Sequence, residues 1–190
     1  MRDILQNCYY LPSGCYHAMA AFWLSLEFVP DHKKTHKRCM AAVKWHGMQL
    51  QYVPNACLTP ELCLAAVKKH GYALKIVPDA MRTPEICLAA VKSWEPAIRE
   101  ISDDKKTPEV CLAVVQCVGS FLQYVPESMR TSEVCLAAVQ QNGHALEFVP
   151  DSMRTPEICL AAVKEHAYAL RFVPQEHMTP EIIAAANFTS

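Results

Sequence analysis

The feature that most constrains this chain is a period of 24 residues. Val29, Val53, Val77, Ile101, Val125, Val149 and Val173 keep that step, and so do Thr35, Thr59, Thr83, Thr107, Thr131, Thr155 and Thr179. Cysteine follows it at Cys15, Cys39, Cys63, Cys87, Cys111, Cys135 and Cys159, with Ile183 in the next place. A fixed period of this length marks a repeat architecture, in which each unit is too small to bury its own apolar face and becomes stable only when stacked.

Proline and glycine punctuate the unit. Six prolines follow the valine column and five follow the threonine column, while four of the five glycines (Gly47, Gly71, Gly119, Gly143) share a third column. Thr-Pro-Glu is chemically a helix start: the threonine oxygen accepts from an orphan backbone N–H, proline suits the first helical position, and glutamate faces the positive end of the dipole. In the unit from Thr59, the apolar Cys63, Ala66 and Val67 lie at i, i+3 and i+4, with Leu62 and Ala65 widening the stripe, so the helix is packed on both sides. Gly71 is expected to end this helix in the left-handed conformation. The segment 72–77 fits a second, shorter piece of α or 3-10 helix stopped by Pro78, because Leu74 and Val77 are three apart; a strand is the competing assignment.

The expected fold is therefore all-α, an α-solenoid of two-helix repeats. Residues 1–34 form a degenerate N-terminal segment and divergent first repeat, 35–178 hold six repeats, and 179–190 a half repeat, all in one domain. Small pairs such as Ala65-Ala66 and Ala161-Ala162 allow close approach of successive helices.

At "TPEICLAAVK" followed by "YALRFVP" the chain resembles the domain of unknown function 4116, a short tandem repeat found mostly in bacterial proteins. The resemblance covers 35–190 well and 11–34 weakly, and it implies no catalytic residue. The alternation of longer and shorter helices is also similar to the leucine-rich-repeat-variant proteins, which implies a right-handed α/3-10 superhelix. The unit 83–106 departs from the pattern: Ile101-Ser102 replaces Val-Pro and Glu95 replaces glycine, so distortion of its second helix and a looser stack are expected there.

Composition excludes several functions. Lys+Arg of 18 against Asp+Glu of 19 gives a net charge of −1, which makes nucleic acid an unlikely partner. No apolar run is long enough for a membrane span. Ala18 to Phe28 imitates the apolar core of a signal peptide, but Asp3 cancels the charge of Arg2 and no small-residue cleavage site follows, so a cytoplasmic location is expected. No phosphate loop, nucleophile elbow or zinc-protease motif is present, and the chain is read as a non-enzyme without cofactor or metal.

Each chemically suggestive residue type recurs as a column. The cysteine column is expected to be buried, reduced core, because neighbours sit about 8–10 Å apart, beyond the ~7 Å limit for a disulfide. Cys8, Cys57 and Cys117 are out of phase and more reachable. His46, His70 and His166 suit a helix-end packing site, and the lysines at 44, 68, 92 and 164 complement helix C-termini. The aromatic column with Tyr52, Tyr124, Phe148 and Phe172 fits packing better than base stacking.

Columns that stay the same mark what stacking requires, and columns that vary mark what it leaves free. The variable positions beside the turn between the two helices supply the candidate partner-binding residues Trp45, Met48, Lys69, Tyr72, Trp94, Gln141, His144, Glu165 and Tyr168. A third column, Gln51, Lys75, Arg99, Gln123, Glu147 and Arg171, changes charge sign along the array. The expected function is a scaffold for a protein or peptide partner of unknown identity; the alternatives are an RNA-binding solenoid or a structural subunit docked in a larger assembly.

Overall fold

The computed structural model describes residues 25–188, and among them every regular element is helical. Seven α-helices recur at the repeat step: α1 His36–Trp45, α2 Pro60–Lys69, α3 Pro84–Ser93, α4 Pro108–Cys117, α5 Ser132–Gln141, α6 Pro156–Glu165 and α7 Pro180–Phe188. Between consecutive α-helices lie a 3-10 helix of five or six residues, for example Gly71–Lys75 or Gly143–Phe148, and a three-residue 3-10 turn such as Asp79–Met81. Each long helix packs on the next, and each short helix lies against the long helices on either side of it, so the chain is an all-α repeat solenoid. The expectations for Cys8, Cys15 and residues 18–24 lie outside the described residues.

The threonine column caps every long helix. The N–H of the third helical residue donates to threonine Oγ1, from Arg38 to Thr35 at one end through Leu62 to Thr59 at 3.3 Å to Ile182 to Thr179 at the other. Such a cap contributes about 1 kcal/mol. The interior is built from the cysteine column, wholly buried from Cys39 to Cys159, from the Ala-Val pairs such as Ala66 and Val67, from Leu26, and from Leu50, Leu74, Ile98, Leu122 and Leu146 on the short helices.

Two expectations are corrected. The long helices do not end in a left-handed glycine, since no glycine among the described residues has positive φ. They end one residue earlier, in an extended residue such as His70 (φ −144°, ψ 105°), whose N–H bonds back to the Ala66 carbonyl at 2.8 Å. The glycine that follows is required by close approach. A Cβ on Gly119 would lie 2.2 Å from the Ala138 carbonyl oxygen of the next repeat, and one on Gly143 would lie 2.3 Å from that of Ala162. Glycine therefore lets the start of one short helix press on the backbone of the following long helix.

The second correction concerns 95–106. The short helix Glu95–Glu100 forms at full length, with Pro96 at its start, where a missing N–H costs nothing. The loosening expected there lies in its packing instead. Glu95 carries the Cβ that the close approach excludes, and this helix covers much less of the following α4 than its counterparts do of theirs. The bond that closes the other short helices, such as Val125 N–H to Leu122 O at 3.0 Å, has no counterpart at Ile101.

Candidate functional site

The variable columns meet along one ridge, built from the C-terminal ends of the long helices and the starts of the short ones. In its first half, Trp45 and Tyr72 are 39 % and 46 % exposed, Lys69 is exposed, and Met48 and Trp94 are half-buried. The Tyr72 and Trp94 rings meet edge to face at 5.1 Å, and Lys75 Nζ lies 5.0 Å from the Tyr72 centroid and 5.8 Å from that of Trp94. Glu100 pairs with the same ammonium at 3.1 Å. His46 and His70 stand 4.4 Å apart, and Trp45 lies 5.9 Å from His46.

A second cluster occupies the far half. His144 stacks on Tyr168 at 5.4 Å and meets His166 at 4.7 Å. Arg171 lies over both Tyr168, at 4.9 Å, and Phe172, at 5.1 Å, and donates to the Tyr168 hydroxyl. Tyr168 is 55 % exposed. Glu165 is exposed at the end of α6. Between the halves stand Pro96 and Ser120, where the aromatic series stops.

The column of changing charge sign thus has a definite role. Its three cations, Lys75, Arg99 and Arg171, each lie over aromatic rings; for Arg99 these are Phe121 at 5.4 Å and Tyr124 at 4.6 Å of the next repeat. At exposed sites each such contact contributes about 0.5–1 kcal/mol and holds an otherwise mobile side chain in place.

Part of the ridge belongs to the stack. The glycine N–H at the start of a short helix donates to a side chain of the next repeat: Gly47 to His70 Nδ1 at 3.0 Å, Gly71 to Ser93 Oγ at 3.0 Å, and Gly119 to Gln141 Oε1 at 2.6 Å. Gln141 is therefore a stacking residue as well as a surface one. His70 must accept at Nδ1, and burial, with the charges of His46 and Lys69 adding to it, holds its pKa below the ordinary 6.5.

Sequence reasoning overlooked one set of residues entirely. Arg82, Arg130 and Arg154 each donate Nε to the valine carbonyl of their own repeat at 3.0 Å. Their Nη1 reaches the carbonyl of Glu100, Phe148 or Phe172 in the next repeat, at 2.7, 2.8 and 3.4 Å respectively. Lys106 replaces arginine in the unit 83–106 and reaches only the Tyr124 carbonyl, at 2.9 Å. An acid three residues earlier steadies the cation, as Asp103 does for Lys106 at 2.7 Å and Asp151 for Arg154 at 2.9 Å. The pattern Asp-x-x-Arg or Asp-x-x-Lys at the repeat step was the available signal.

The thiols of the cysteine column are free and buried, and desolvation raises their pKa values, to about 11 at Cys111 and Cys135. Cys117 is exposed and Cys57 half-buried. Among the described residues no three His, Cys, Asp or Glu side chains converge as a metal site, and no helix is long and apolar enough to cross a membrane.

The family model described as domain of unknown function (DUF4116) matches residues 37–82, 107–154 and 131–178, together more than half of the chain. No curated protein and no solved structure matches it.

Proposed function

We propose that this chain, which belongs to the domain of unknown function (DUF4116) family, is a non-catalytic scaffold that binds a protein or extended peptide along its aromatic ridge. The observation that carries the proposal is the placement of Trp45, Tyr72 and Tyr168. Tyr72 and Tyr168 stay exposed at the same repeat position, Trp45 stays exposed at the end of α1, and cations from one repeat column hold Tyr72 and Tyr168 in place. Rigid aromatic side chains lose little entropy on contact and dominate binding energy at interfaces. The buried, reduced thiols suit a cytoplasmic protein. RNA could stack on the same rings, but the net charge of −1 argues against a partner bound through phosphates.

The test is affinity capture from a lysate of the source organism by the full chain and by a Trp45→Ala/Tyr72→Ala/Tyr168→Ala variant, with melting temperatures recorded for both. The proposal predicts loss of a specific protein partner in the variant at nearly unchanged melting temperature. Unchanged capture would reject the ridge, unfolding of the variant would make the rings part of the core, and a steep salt dependence with bound RNA would favour the nucleic-acid alternative.

A further inference from the structure

Among the repeats from 35 to 178, only 35–58 carries cysteine at both the fifth and the twenty-third positions, Cys39 and Cys57; the later twenty-third positions are Met81, Lys105, Met129, Met153 and His177. In this fold those two positions face each other within a repeat. Lys105 is close enough to Cys87 to act on its thiol electrostatically, and Cys57 is close enough to Cys39 to act on its thiol in the same way.

A second observation locates the Cys57 sulfur, and the repeat gives the direction of the Cys39 thiol. The fifth-position thiols of later repeats point at the last carbonyl of the preceding repeat, with Cys135 Sγ 3.6 Å from Arg130 O and Cys159 Sγ 3.7 Å from Arg154 O. The equivalent carbonyl for Cys39 is that of Lys34, and Cys57 Sγ donates to it at 3.0 Å. The repeat thus aims the Cys39 thiol toward the carbonyl that Cys57 occupies. They differ in access: Cys39 is wholly buried, whereas Cys57 is half-buried in the turn Asn55–Cys57.

We infer that Cys39 and Cys57 are a dithiol pair that closes to a disulfide by exchange with a low-molecular-weight disulfide, stapling the turn Asn55–Cys57 to α1. The accessible Cys57 thiolate attacks the small disulfide, forming a mixed disulfide and expelling one small thiol. The Cys39 thiolate then attacks the Cys57 sulfur and expels the second small thiol. Two protein thiols are oxidised and one small disulfide is reduced to two thiols, so the two hydrogens lost by the protein are accounted for. Burial holds the Cys39 pKa above its usual range, which lowers the thiolate fraction available for the second step and makes that step accelerate as pH rises. The cysteines a full repeat apart lack this contact and stay reduced.

The experiment equilibrates the native full chain with reduced and oxidised glutathione over a series of ratios, quenches it with acid and a maleimide, and reads tryptic peptides by mass spectrometry. The expected product joins peptide 39–44 to peptide 45–68, lighter by two hydrogens than the reduced pair and reversed by added reductant. Because 45–68 also contains Cys63, the Cys57→Ser variant is run beside it and is expected to lose the cross-link and keep Cys39 reduced. Three results would overturn the inference: glutathione retained on Cys57 with Cys39 reduced at every ratio, the same cross-link in Cys57→Ser, or a link that forms only after denaturation.

Discussion

Two junctions between repeats solve the same packing problem in opposite ways. At Gly143 the short helix has no side chain at its first position, so its backbone presses on the Ala162 carbonyl, and Arg130 and Arg154 tie carbonyls of adjacent repeats together. At Glu95 the side chain blocks that approach. Val114 and Phe121 of the next repeat then stand where most repeats carry alanine, Arg99 lies over Phe121 and Tyr124, and Lys106 makes the single tie that replaces the arginine clamp. The first junction is held by backbone proximity, and the second by larger side chains across a wider gap. The comparison teaches that a repeat array can be divided without an interruption in its helices, by placing a long side chain where four repeats carry glycine and the last carries only the methyl group of Ala167.

The largest effect expected from this difference is a contrast between two alanine substitutions. Gly143→Ala places a methyl group against a backbone carbonyl and should cost about 3 kcal/mol, whereas Glu95→Ala should cost about 0.5 kcal/mol or less. Urea denaturation midpoints of the two variants measure the contrast, and equal losses would abolish the distinction between the junctions.

A smaller contrast separates the clamps. Arg130→Ala removes bonds to two carbonyls and should cost about 2 kcal/mol, against about 1 kcal/mol for Lys106→Ala, which removes one. The same denaturation series reads it, and a larger loss at Lys106 would show that the wider junction depends on its tie more than the tight one does.

These junctions were partly legible in the sequence. Capped helix starts, the short helices and the alternation of buried columns follow from the period and from Thr-Pro-Glu, because those residues act within three or four positions of themselves. The glycine was misread because a left-handed turn and a close approach both select against a Cβ, and only the neighbouring repeat distinguishes them. Ser93 and Gln141 looked like free variation, and His70 like helix-end packing alone, because three different side chains, from two adjacent columns, accept the equivalent glycine N–H. The arginine clamp was hidden because its partners are carbonyls, which leave no trace in residue types.

The smallest effect is one of pH. His70 accepts the Gly47 N–H in neutral form and its pKa is lowered in the folded state, so the unfolded chain binds this proton first as pH falls. Stability contributed by this contact is present above the ordinary value of 6.5 and is lost as pH falls below it toward the folded-state pKa. Gly119 has the uncharged Gln141 as its acceptor. Amide exchange corrected for its intrinsic pH dependence should therefore show protection at Gly47 falling below that pH while protection at Gly119 stays constant; parallel behaviour of the two amides would remove His70 from the stack.

The central claim is that the array is held tightly at its glycine junctions and loosely at Glu95, and native-state hydrogen exchange tests it most directly. Segments 95–106 and 143–154 are equivalent in the repeat and are both helical over most of their length. The account predicts faster exchange across 95–106, led by Ile101, whose N–H lacks the bond that closes the other short helices. Equal protection of the two segments would contradict it.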